Sequence, residues 1–191
     1  MEILRFYLDL GFWHVIDWDG LDHLYFIVSL ALPFGFKESR KLLLLITIFT
    51  LGHTFSLAAN FYGNLFLHSY WIELLIPITI AISTASLLLP KRYIIVSKEG
   101  FLLPLVTLFF GIIHGLGFGR YFSMLTLEEA VGFSLFSFAL GVELAQGVIV
   151  IGTLCLSFLV LKIINIPKAV WEIAIGSLIL VLALAMIFER I

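Results

Sequence analysis

Five short stretches hold most of the side chains in this chain that can do chemistry. "DWDGLDHLYF" (residues 17–26) sets Asp17, Asp19 and Asp22 beside His23 at the mouth of an apolar run. His53 sits in "FTLGHTFSLA" and His114 in "GIIHGLGFG". Glu73 lies in "IELLIP", and Glu143 and Gln146 lie in "FALGVELAQ". Imidazole nitrogen with carboxylate oxygen, and no thiolate, suits a divalent transition ion such as nickel, cobalt or zinc. Two carboxylates would cancel the charge of a dication, which removes the main objection to holding it in a low-dielectric interior. The metal candidates are therefore His23, His53, Glu73, His114 and Glu143. Asp22, Thr50, Asn60 and Gln146 are candidates to orient the ligands from behind. His14, Asp17 and Asp19 belong to the entrance, where acids raise the local cation concentration.

Each residue also has a plainer role. Asp22 can cap a helix N-terminus. Thr50, His53, Ser56 and Asn60 recur at three- and four-residue steps on one helix face and can form an interhelical hydrogen-bond network. A protonated glutamic acid can pair with a histidine or with Gln146. His68 falls in an outer loop and reads as solvated. What argues for ligation is cost, since an ionisable side chain inside a span costs about 2.5–3.5 kcal/mol on insertion scales.

The elements that must position these residues are membrane helices. The 191 residues are 62% hydrophobic and only 13% charged, far from soluble composition. With a mean hydropathy of +1.15, the chain reads as one all-α domain over residues 1–191. Spanning a bilayer takes about 20 apolar residues. Six stretches qualify, roughly 21–36, 42–60, 70–90, 101–119, 131–161 and 169–188. Residues 1–19 form an interfacial segment, with a short helix over 3–16 ahead of a six-helix bundle over 20–191. Lys37, Arg40, Lys41, Lys91, Arg92, Lys98, Lys162 and Lys168 all fall on one side, which the positive-inside rule makes cytoplasmic. This predicts extracytoplasmic termini in a bacterial inner membrane, with the acids and imidazoles in the outer leaflet. His53 is expected ~10 Å and His114 ~7 Å below the outer ends of their spans. Gly111, Gly115 and Gly119 form a small-residue ladder, and Gly141 belongs to a second one with Ser137 and Ala145; such ladders let helices approach closely, within a chain or between copies in a homo-oligomer. Pro77 and Pro104 are read as points of local bending.

Several classes are disfavoured. A net charge of -2 argues against nucleic acid. The single cysteine, Cys155, forms no intrachain disulfide and belongs to no C-x-x-C motif. H-E-x-x-H and G-x-S-x-G are absent from the sequence.

The stretches "GFWHVIDWDGLDHLYFIVSLAL", "FTLGHTFSLA", "IELLIPITIAIS", "FFGIIHGLGFG" and "FALGVELAQ" together resemble the HupE/UreJ hydrogenase and urease accessory membrane proteins, nearest their shorter bacterial branch. Ala139 and Ala145 stand where that family often has Asn and Gly, and Thr54 stands where Ser is common after the histidine. The resemblance implies nickel or cobalt handling at His23, His53, His114, Glu73 and Glu143, and a permease in the lipid bilayer. The alternative is a zinc-type intramembrane hydrolase facing the periplasm, with three histidines and an acid on the metal and a second glutamate as base. A third reading is a subunit whose metal only staples helices.

Overall fold

The structure, a computed structural model, describes residues 2–18, 20–63, 69–89, 100, 102–126 and 128–191. Among these there is no strand. The chain forms α1 (Glu2–Val15), α2 (Asp22–Ala31), α3 (Ser39–Gly63), α4 (Ser69–Leu88), α5 (Leu102–Leu125), α6 (Val131–Phe158) and α7 (Lys168–Phe188). Five helical stretches are long and apolar enough to cross a membrane: Phe36–Gly63, Ser69–Leu88, Leu102–Leu125, Val131–Ile163 and Lys168–Phe188. The chain is a multi-pass membrane protein. Lys91, Arg92 and Lys98 lie outside the described residues, as do His68 and Asp19.

The expected first span over 21–36 is instead the ten-residue helix α2. At 1.5 Å per residue it reaches only about 15 Å, half of a bilayer core. Helix α1, at 14 residues or about 21 Å, is a second piece too short to span, and it is docked in the bundle rather than laid on the interface. A Cβ on Gly11 would meet the Phe138 carbonyl of α6, and one on Gly141 would meet the Leu8 carbonyl of α1. Tyr7, Gly11 and Val15, at four-residue steps, form the buried stripe of α1. The Tyr7 hydroxyl donates to the Leu125 carbonyl at 2.8 Å, tying α1 to the end of α5. Helix α2 lies further along α6: Leu24, Val28 and Leu32 share a cleft with Ile149, Gly152 and Leu156. The two short helices therefore follow one another along a single long partner. Between them the helix is broken, and the described residues of the break include Asp17 and Gly20. Asp22 is the first residue of α2 rather than its N-cap, which is Leu21.

Helices α3 and α5 run parallel and interlock. A Cβ on Gly111, Gly115 or Gly119 would strike Phe49, His53 with Ser56, or Asn60 respectively, and one on Gly52 would strike the Leu108 carbonyl. The glycine ladder thus has its partner in α3 of the same chain, and backbone-to-backbone approach fixes one helix against the other. Helix α4 packs on α5 and α7, and its Ser83 meets Ser29 of α2 at 3.2 Å. Lys168 at the start of α7 donates to the Pro33 carbonyl just past α2. Pro77 is interior to α4, but Pro104 sits in the first turn of α5, where proline needs no bend. Large apolar side chains such as Leu44, Leu51, Phe55, Phe136, Ile151 and Val181 face outward, as lipid requires.

Candidate metal centre

Four histidines from four helices converge where α1 gives way to α2. His14 lies in the last turn of α1 and His23 in the first turn of α2, so the break between the helices turns the two rings toward each other, with centroids 4.8 Å apart. His53 of α3 lies 5.6 Å from the His14 ring and 5.7 Å from the His23 ring. His114 of α5 closes the group at 5.1 Å from His23. One ligand atom each from His14, His23 and His53 lies within 4.8 Å of the others. Aromatic rings wall the group. Phe118 packs on His14 at 4.0 Å, Phe138 stacks beside His53 at 5.9 Å, and Phe49 meets His114 edge-on at 5.2 Å.

Hydrogen bonds set the tautomers. The Phe110 carbonyl, 2.8 Å from His114 Nδ1, can only accept, so Nδ1 carries the proton and Nε2 keeps its lone pair. The Asp22 carboxylate accepts from His23 Nδ1 at 3.1 Å and from the His23 backbone N–H at 2.8 Å. His23 Nε2 is then also a lone-pair donor. The Nε2 atoms of His14, His23, His53 and His114, with Nδ1 of His53, are buried and lack a hydrogen-bond partner. A buried polar atom left unsatisfied costs about 1–3 kcal/mol, so lone pairs gathered among aromatic rings call for a partner. Imidazole nitrogens of this kind suit a divalent transition ion, and those of His14, His23 and His53 are close enough together to share one.

The group lies deeper than the sequence suggested. His53 is ten residues from the end of α3 and His114 eleven from the end of α5, or about 15 and 16 Å at 1.5 Å per residue. The reason is that α3 runs on to Gly63 and α5 to Leu125, past the expected limits at 60 and 119. Both histidines sit near the middle of their helices.

The structure brings together His23, His53 and His114 from the expected ligands and adds His14, which the sequence placed at the entrance. The overlooked signal was the Tyr7–Gly11–Val15 stripe, which marks α1 as a packed helix whose last turn must lie inside. The two glutamates are elsewhere. Glu73 is exposed on α4, because Ile72, Ile76 and Ile80 form the face that α4 buries. It shares a small cleft with Asn60, Ser69, Gly117 and Arg120. Glu143 of α6 accepts hydrogen bonds from Thr47 at 2.6 Å and Thr50 at 2.5 Å, both on α3. Thr50 also meets Gln146 at 3.1 Å, so Thr50 and Gln146 belong to the Glu143 group and bond no imidazole. Asn60 is buried against Gly119, two turns along α3 from His53. Asp17 is exposed in the break, and Asp22 buttresses His23.

No curated protein and no solved structure matches the chain. The family model described as HupE / UreJ protein matches residues 1–190. With that match over essentially its whole length, the chain belongs to the HupE/UreJ family of membrane accessory and metal-transport proteins.

Proposed function

We propose that His14, His23, His53 and His114 bind a divalent transition cation, nickel or cobalt above all, and that the protein is a permease for it in the bacterial inner membrane with both termini extracytoplasmic. The observation that carries this is the set of buried imidazole nitrogens with no protein partner. On this reading α1 and α2 together make one interrupted crossing. Secondary transporters commonly hold substrate near the bilayer midplane where a helix is broken, and the break between Val15 and Asp22 lies at the histidines.

Charge supports passage over permanent residence. Four neutral imidazoles leave a dication's charge uncancelled, and the nearest carboxylate, Asp22, acts through His23. A partly uncompensated charge in a buried site binds less tightly, and conduction requires an ion that can leave. The hydrolase reading needs a free acid beside the metal to act as base. Asp22 is engaged by His23, and Glu73 and Glu143 lie in other groups, so the geometry favours the permease.

The test is nickel and cobalt binding by elemental analysis of purified protein, paired with uptake into proteoliposomes. Wild type should bind and pass the ion, His23→Ala and His114→Ala should lose both, and Glu73→Gln should keep both. Binding without flux would refute the permease. Equal metal content in wild type and both histidine variants would refute the site.

A further inference from the structure

The Glu143 group has its own chemistry. It is built wholly of oxygen: both carboxylate oxygens of Glu143, the hydroxyls of Thr47 and Thr50, and the Gln146 amide oxygen. These oxygens have too few protons. Thr50 Oγ1 lies 3.1 Å from the Ile46 carbonyl, 2.5 Å from Glu143 Oε2 and 3.1 Å from Gln146 Oε1, yet one hydroxyl proton serves one acceptor. Thr47 Oγ1 is likewise shared between the Leu43 carbonyl at 3.0 Å and Glu143 Oε1 at 2.6 Å. Gln146 is 0% exposed, and its Nε2 has no partner. Reversing that amide would supply a donor to Thr50 but leave its oxygen orphaned in the same place. Among the described residues Glu143 forms no ion pair.

We propose that Thr47, Thr50, Glu143 and Gln146 form a second cation site, distinct from the histidines, that takes a small hard monovalent ion of the sodium class. Oxygen donors without nitrogen or sulfur select a hard cation over a transition metal. A single carboxylate balances a single positive charge and leaves the occupied group neutral. A cation among these oxygens turns mutual lone-pair repulsion into attraction and answers the shortage of protons. Thr47 marks the outer edge of the group, on the α3 face that also carries Leu44 and Leu51. The site stands on its own geometry, whatever the histidines bind.

The experiment uses full-length protein in detergent, freed of transition metal with chelator, at constant ionic strength and pH. Thermal unfolding in sodium chloride is compared with choline chloride, and binding of radiolabelled sodium is measured directly. The expected result is a saturable upward shift in Tm with sodium and one bound sodium per chain, both lost in Glu143→Gln and in Thr50→Val. Should Glu143→Gln fail to fold, Thr50→Val and wild-type sodium binding still decide the matter. Equal Tm in the two salts with no bound sodium would overturn the proposal. So would sodium binding that survives in Thr50→Val, or a Tm that responds to pH alone.

Discussion

Gly115→Ala tests whether the α3–α5 interlock holds the histidine group in place. The added Cβ would lie 2.0 Å from Ser56 Oγ and 2.4 Å from the His53 carbonyl oxygen. The serine side chain can turn away, but the carbonyl is backbone. Restoring ordinary contact near 3.4 Å requires α3 to withdraw by about 1 Å at His53, one of the proposed ligands. Overpacking of this kind costs about 1–3 kcal/mol. The control is Gly147→Ala on α6, where nothing lies within 4 Å of the new Cβ. There, better helix propensity should make the protein more stable by about 0.5–1 kcal/mol. Denaturant or thermal unfolding of purified protein measures both, and equilibrium dialysis against nickel measures the site. Gly115→Ala should unfold more readily than wild type and bind nickel at least tenfold more weakly, a change of about 1.4 kcal/mol. Wild-type stability and affinity in Gly115→Ala would refute the claim that glycine contacts set the ligand spacing.

Other outcomes follow from single contacts. Nickel at a hundredfold excess over its Kd should stabilise the protein by about 2.7 kcal/mol, read as a rise in Tm that chelator reverses. His14→Ala should abolish that rise as fully as His53→Ala; a rise retained in His14→Ala would remove α1 from the site. Asp22→Asn should weaken nickel binding about 10–100-fold through its effect on His23, without unfolding the protein, as dialysis of the folded variant would show. Tyr7→Phe removes the hydrogen bonds to Leu125 and Thr126 and should cost about 0.5–1.5 kcal/mol in unfolding free energy, with α1 remaining helical by circular dichroism.

Most of this architecture could be read from the residues alone, and the departures have physical causes. Apolar length placed five spans with boundaries no more than six residues off, because lipid imposes one solvent on each. It failed at α1 and α2, since two short helices that share one partner look like an amphipathic leader and a span. The glycine ladder on α5 was legible as spacing, but only three-dimensional packing identifies α3 as what it grips. The convergence of His23, His53 and His114 could be anticipated because a buried imidazole needs a partner and these residues recur on separate spans. The placement of Glu73 in the same group was an error of helix phase. One residue is 100° of rotation, and Ile72 takes the inward position that Glu73 was given. Depth was misjudged because α5 continues through Arg120 to Leu125, so an arginine lies beside Glu73 in a cleft above the histidines.

The docking of α1 on α6 has a bearing on biogenesis. Helix α1 is only 14 residues long and finds its glycine-lined seat on a segment that begins at Val131. At roughly 5–20 residues per second, translation leaves that early piece without its berth for about 6–25 s. Since His14 rides on it, the four histidines come together only after the α6 segment that seats α1 has been made.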